Sequence, residues 1–138
     1  MAARSATLKQ PLETTGLTIQ VRVADLATGL AWYERLLGRP PDLDHAGDSG
    51  AIGAVKEWEL QPNCWLQLAS GVPAAGFGPL RFGVRDIEEA RPRVAEALGI
   101  TLSPIQRIEG VAAWCDFADP FGNRLGLAQN LADVTTLM

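Results

Sequence analysis

Two stretches decide the fold: Val23-Ala24-Asp25-Leu26 leading to Leu37-Gly38, and Val84-Arg85-Asp86-Ile87 leading to Leu98-Gly99. Val23 and Val84, Asp25 and Asp86, and Gly38 and Gly99 are each 61 positions apart, so one supersecondary unit is written twice. The residues around each copy say what the unit is. From Leu17 to Val23, Ile19, Val21 and Val23 alternate with Thr18, Gln20 and Arg22, the period of a half-buried strand. Asp25 is placed to cap a helix, and Leu26, Leu30, Tyr33 and Leu37 recur at helical spacing. Gly38 supplies a left-handed stop, and Pro40-Pro41 forbid continuation.

The second copy has Leu80, Phe82 and Val84 on one strand face, with Pro79, Arg81 and Gly83 on the other. Asp86 is its cap, Glu89 stands at a capping-box position, and Ile87, Ala90, Val94 and Leu98 form the helix stripe. Pro92 lacks an N–H and is expected to kink the helix or delay its start.

Each helix is followed by short strands. Ala54–Leu60 and Cys64–Ala69 flank a turn at Gln61-Pro62-Asn63, and Asp42–Gly50 reads as a loop or a ragged strand. In the second half strands are expected at Ser103–Ile108, Val111–Phe117 and Arg124–Ala128, with turns at Glu109-Gly110 and Pro120-Phe121-Gly122-Asn123. The Gly/Pro/Ala-rich stretch Gly71–Gly78 joins the halves. The expected architecture is α+β: two βαβββ modules in tandem, forming a curved mixed sheet around a shared cleft, with helices on the outer face. Residues 1–16 read as a flexible leader, 17–130 as one domain (modules 17–70 and 77–130), and 131–138 as a tail that covers a cleft or an interface.

Bulk composition narrows the function classes. The chain has 138 residues, 47% apolar and 20% charged, which suits one soluble domain with a real core. The formal net charge of −4, with no basic stripe, argues against nucleic acid as a partner. No apolar run approaches the roughly 18 residues of a membrane helix, and no targeting segment is visible, so a cytoplasmic protein is expected. Cys64 and Cys115 lack metal-site or CxxC spacing and read as reduced, buried thiols. Gly76-Phe77-Gly78 lies in the linker without the strand–helix context of a phosphate loop.

Three motifs carry a resemblance. Val23-Ala24-Asp25-Leu26 through Trp32-Tyr33-Glu34-Arg35-Leu36-Leu37-Gly38 resembles the opening signature of the vicinal oxygen chelate superfamily, which includes glyoxalases, bleomycin resistance proteins and extradiol dioxygenases. Phe117-Ala118-Asp119-Pro120-Phe121-Gly122-Asn123-Arg124-Leu125 resembles its closing signature, and Glu57-Trp58 with Trp65-Leu66-Gln67-Leu68 resembles a hairpin of single-domain members. The resemblance implies a divalent metal held by residues of the first and last strand of each module. Carried onto this chain, those positions are Thr18, Gln67, Pro79 and Gly126, poor donors or none. His45, the single histidine, sits in the acidic stretch Asp42–Asp48 and reads as part of a solvated loop. No metal or other cofactor is therefore expected.

Strand alternation nominates the cleft lining: Thr18, Gln20 and Arg22; Trp65 and Gln67; Arg81; Trp114 and Asp116; and Arg124. Trp58 is open between core and cleft and is kept among the ligand candidates. Arg22 and Arg81 are open to a structural ion pair with Asp116. Asp119 and Asn123 are assigned to turn chemistry. Indoles beside amides and guanidinium groups suit a planar, partly aromatic ligand. The expected function is binding of a small planar organic molecule, an antibiotic or aromatic metabolite, in a metal-free cleft. The alternative is a metal-independent lyase or isomerase using Asp116 as base. The resemblance also implies a homodimer.

Overall fold

A computed structural model describes residues 11–45, 54–74 and 79–132. The first ten residues of the expected leader, the later part of the acidic loop, the linker glycines 76 and 78, and residues 133–138 of the tail lie outside the described residues. Ten elements follow in order. Module 1 contains β1 (Leu17–Val23), α1 (Leu26–Leu37), β2 (Leu43–His45), β3 (Val55–Gln61) and β4 (Cys64–Ser70). Module 2 contains β5 (Leu80–Gly83), α2 (Ile87–Leu98), β6 (Gln106–Ile108), β7 (Ala112–Ala118) and β8 (Arg124–Asn130).

Each module forms its own four-stranded mixed sheet, ordered β1-β4-β3-β2 and β5-β8-β7-β6. In both, the first strand runs parallel to the last, and the other pairs are antiparallel. The helices obey the repeat: Asp25 accepts from the Ala27 N–H and the Thr28 hydroxyl, and Asp86 accepts from the Glu88 N–H. Gly38 and Gly99 end the helices with φ of 76° and 66°, a backbone shape that costs a residue with a Cβ.

Two sequence expectations change. Of the two outcomes expected at Pro92, the delayed start does not occur, since α2 begins at Ile87 and runs to Leu98 with the proline inside it. Its missing N–H would have met the Glu88 carbonyl, and both residues are exposed, so that carbonyl is open to solvent. The strand expected from Ser103 shortens to Gln106–Ile108, because Pro104 interrupts the ladder. Ser103 keeps hold of β7 by other means: its N–H donates to the Asp116 carbonyl, and its hydroxyl accepts from the Asp116 N–H.

One apolar cluster runs through both modules. Val21, Val23, Leu66 and Leu68 of the first sheet join Cys115, Phe117, Leu125 and Leu127 of the second, with Trp32, Tyr33, Ile87 and Leu98 from the helices. Trp32 packs edge-on to Tyr33 and also meets Phe117, so α1 reaches across to module 2. Burial makes this shared core the main source of stability. It also positions the candidate residues, because packing takes up most helix-side residues while polar side chains on the opposite face of each sheet stay exposed or half-buried.

Candidate functional site on the helix-free faces

Register assigns each candidate to a face. In module 1, Thr18 pairs with Trp65 and Gln20 with Gln67, so these four share the helix-free face, together with Arg22. In module 2, Arg81 and Asp116 both pair with Gly126, and Trp114 and Arg124 lie on the same side. The chain thus brings its candidates together as two sets, one on each sheet. Their side-chain hydrogen bonds and ion pairs stay within a module.

The first set is a chain of amides. Arg22 Nε donates to Gln20 Oε1 at 2.8 Å, and Gln20 Nε2 donates to Gln67 Oε1 at 2.6 Å. Arg22 also donates to the Ser70 carbonyl. Trp65 is half-buried and, with Thr18 and Asn63, lines an open cavity of about 300 Å³. The second set is ionic. Arg81 meets Asp116 at 3.1 Å, and its guanidinium carbon lies 5.8 Å from the centre of the Trp114 ring. Of the two arginines left open as partners of Asp116, Arg81 is the one that pairs.

Trp58 requires a correction. It is fully buried on the helix side, with its indole N–H donating to the Arg39 carbonyl at 3.0 Å. A bulge between Glu59 and Gln61 shifts the hairpin register by one. Counting back evenly from the Gln61–Cys64 pair would set Trp58 opposite Gln67. The bulge sets it opposite Leu66 instead, and a one-residue slip changes the face.

The same slip reveals residues that sequence reading missed. Glu57 pairs with Gln67 and Glu59 with Trp65, which puts both carboxylates on the helix-free face. Glu59 accepts from the Asn63 N–H at 2.9 Å. The Glu57 carboxylate has no hydrogen-bond or ion-pair partner among the described residues. Asp116 is thus not the one carboxylate on these faces.

The positions that the resemblance assigns to a metal do not fit a divalent cation. Thr18 is an exposed hydroxyl, Pro79 has no side-chain donor, and Gln67 Oε1 already accepts from Gln20. Gly126 lies under the Arg81–Asp116 pair, which puts a guanidinium where a cation would sit. Among the described residues no three His, Cys, Asp or Glu side chains are grouped to hold a metal ion.

Asp119 and Asn123 do more than shape a turn. Asp119, 5% exposed, accepts from Tyr33 Oη, from the N–H groups of Phe121 and Asn123, and from Asn123 Nδ2. Asn123 also donates to the Arg22 carbonyl and accepts from the Ala74 N–H. The turn into β8 is therefore bolted to α1, β1 and the linker. Burial and the facing Asp119 carboxylate push the Tyr33 phenol well above its ordinary range. Burial likewise raises the Cys115 thiol, which keeps it protonated and inert.

No protein-family model and no curated protein matches this chain. Solved structures do. A glyoxalase/bleomycin resistance protein/dioxygenase superfamily member from Sphaerobacter thermophilus is 19% identical, covering 86% of this chain and 98% of its own, with a TM-score of 0.69. TnmS3, an antibiotic binding protein from a Streptomyces species, is 19% identical over 88% of this chain and 99% of its own, also with a TM-score of 0.69. The fosfomycin resistance protein FosX from Listeria monocytogenes is 17% identical over 88% and 95%, with a TM-score of 0.62. Nearly whole-chain superposition, the doubled βαβββ unit and the strand order agree: this chain has the vicinal oxygen chelate fold.

Proposed function

We propose that the chain is a glyoxalase/bleomycin-resistance-like binding protein that holds a small planar organic molecule, an antibiotic or an aromatic metabolite, without a metal ion. The observation behind this reading is that Trp65 and Trp114 stand half-buried on the helix-free faces, while Trp32 and Trp58 are spent in the core. An indole face that is not consumed by packing stacks a flat ligand, worth about 0.5–1.5 kcal/mol beyond area burial. Gln20 and Gln67 offer amide groups beside one indole, and Arg81 stands over the other. The likeness to an antibiotic binding protein supports a ligand of this class. The poor donor set at the four inherited metal positions supports recognition by stacking and hydrogen bonding instead of chelation.

The protein acts as a homodimer in the cytoplasm, with the helix-free face of one copy covered by a second copy. Among the described residues no helix is long and apolar enough to cross a membrane, and both cysteines are free. Sedimentation at varied concentration tests the dimer; a single monomeric species at all concentrations removes it.

Fluorescence titration against planar antibiotics and aromatic metabolites tests the binding reading. The expected result is saturable quenching that is lost in Trp65→Leu or Trp114→Leu, with the circular dichroism spectrum unchanged. If the folded protein is quenched by no member of the panel, or if both variants retain full quenching, the reading fails.

One observation favours a second reading, a metal-independent lyase or isomerase. Glu57 is a carboxylate on the helix-free face with no partner among the described residues, whereas Asp116 is neutralised by Arg81. A general base must be free to take a proton, so Glu57 suits that role better than Asp116. Turnover that survives unchanged in Glu57→Gln removes this mechanism.

A further inference from the structure

A second cavity, of about 170 Å³, lies at the seam between the modules, away from both half-buried indoles. Its apolar lining comes from Ile19 and Val21 of β1 together with Leu80 and Leu125 of β5 and β8. Its cationic lining is Arg22 and Arg124. Arg81, on the neighbouring strand β5, meets a carboxylate, and these two arginines do not. Arg22 bonds only neutral groups, Gln20 and the Ser70 carbonyl, and Arg124 has no hydrogen-bond or ion-pair partner among the described residues. In a chain of net charge −4, two arginines without a carboxylate at one cavity are a local exception to the overall field.

We propose that this seam cavity is a binding site for a small organic monocarboxylate whose apolar body is the size of one aromatic ring. Size limits the body: an apolar cavity of roughly 150 Å³ accommodates benzene, whereas drug-sized ligands need about 300 Å³ or more. Chemistry sets the head group. A planar guanidinium presents parallel N–H donors that match a carboxylate in bidentate fashion, and Arg124 has its whole fork available. The apolar residues, partly or fully buried, contribute by removing a ring from water. The site draws one wall from each module, so its occupant also bridges them.

Benzoate is the probe. Calorimetry and backbone-amide NMR on the full chain are expected to show saturable binding, with shifts centred on Ile19, Val21, Leu80 and Leu125. Benzamide, the neutral counterpart, and inorganic phosphate, an anion without a ring, are each expected to bind on the order of tenfold more weakly. Arg124 is exposed, so Arg124→Gln should leave the fold intact and weaken benzoate by a similar factor, while Arg124→Lys retains part of the affinity. Equal binding of benzoate and benzamide overturns the proposal, as does an Arg124→Gln variant with unchanged affinity. Shifts centred on the indole N–H signals of Trp65 and Trp114 also overturn it, since they would assign benzoate to the helix-free faces. Absence of any binding at millimolar benzoate overturns this site while leaving the proposed function of those faces untouched.

Discussion

Across module 1 the line of residues through Gln67 reads Gln20, Gln67, Glu57, and across module 2 the matching line reads Arg81, Gly126, Asp116. In module 1 the central side chain fills the middle of the face and takes the Gln20 amide, which leaves the Glu57 carboxylate beyond it without a partner among the described residues. In module 2 the central side chain is missing, and Arg81 and Asp116 meet across the gap. A Cβ at Gly126 would fall 2.7 Å from the Cys115 carbonyl oxygen, 2.8 Å from Asp116 Oδ1 and 2.9 Å from Arg81 Cγ. One glycine thus decides whether the face closes on itself or keeps a carboxylate available. The two halves share a fold and have divided its chemistry.

The turns into the last strands divide in the same way. In module 1 the turn stays within its own sheet: Asn63 adopts φ of 61°, its N–H donates to Glu59 and its carbonyl accepts from the Leu17 N–H. In module 2 the turn sends Asp119 and Asn123 into contact with α1, β1 and the linker. The largest expected effect therefore follows from Asp119→Ala. It strips a buried acceptor from Tyr33, Phe121 and Asn123, and a loss on the order of 3 kcal/mol or more is expected in urea unfolding. A loss below about 1 kcal/mol would show that the two turns are equivalent and that this bolt does not hold the modules together.

Gly126→Ala sharpens the comparison of the two faces. The carbonyl of Cys115 belongs to the neighbouring strand and cannot yield, so destabilisation of about 1–3 kcal/mol is expected from overpacking. Gln67→Ala, the matching change in module 1, removes one hydrogen bond on a half-buried face and should cost about 1 kcal/mol or less. Equal costs for the two changes, measured by the same denaturant method, would erase the distinction.

The parts of this arrangement that sequence made legible are those set by periodicity and end signals. The offset of 61, the Asp25 and Asp86 caps and the Gly38 and Gly99 stops each act within one turn of chain, and all recur in the structure. Trp58 was left open because neither alternate set of Val55-Lys56-Glu57-Trp58-Glu59-Leu60 is wholly apolar: Val55 falls with Glu57 and Glu59, and Trp58 with Lys56 and Leu60. Glu57 was hidden for the same reason. The double duty of Asp119 was hidden because its partner Tyr33 lies 86 positions away, and turn chemistry alone already accounts for an Asp before Pro-Phe-Gly-Asn. The closing of module 2 over Gly126 was half legible: alternation left an ion pair with Asp116 open to Arg22 or Arg81, and only the register through Gly126 selects Arg81.

Tyr33 tests how firmly module 1 is engaged with module 2. It is the single tyrosine, so tyrosinate absorbance reports it alone. Its phenol is raised in the folded state, so the proton is bound more tightly there than in the unfolded chain, whose tyrosine titrates near pH 10. Stability from this source is fully present below about pH 10 and falls by about 1.4 kcal/mol per pH unit above it. Folded protein should show no tyrosinate as pH passes 10, and Tyr33→Phe should lack this component of the alkaline slope. Ordinary titration of the folded protein near pH 10 would mean that the phenol is not sealed between the modules.

The smallest effect on stability is expected at the ion pair itself, and for that reason Arg81→Gln separates folding from binding most cleanly. Both partners are partly exposed, 37% and 27%, and pairs of this kind contribute about 0–1 kcal/mol. The variant should therefore unfold within about 1 kcal/mol of the parent, and added salt should narrow the difference. Its consequence lies on the face: without the guanidinium, Asp116 gains a free carboxylate and Trp114 loses the cation above its ring. Module 2 then resembles module 1, with an unpaired acid beside an indole. A planar ligand carrying negative charge should bind this variant more weakly than the parent, and a neutral one about equally, because only the former depends on Arg81. If both bind as before, the Arg81 line serves only to seal the sheet, and the ligand face belongs to module 1 alone.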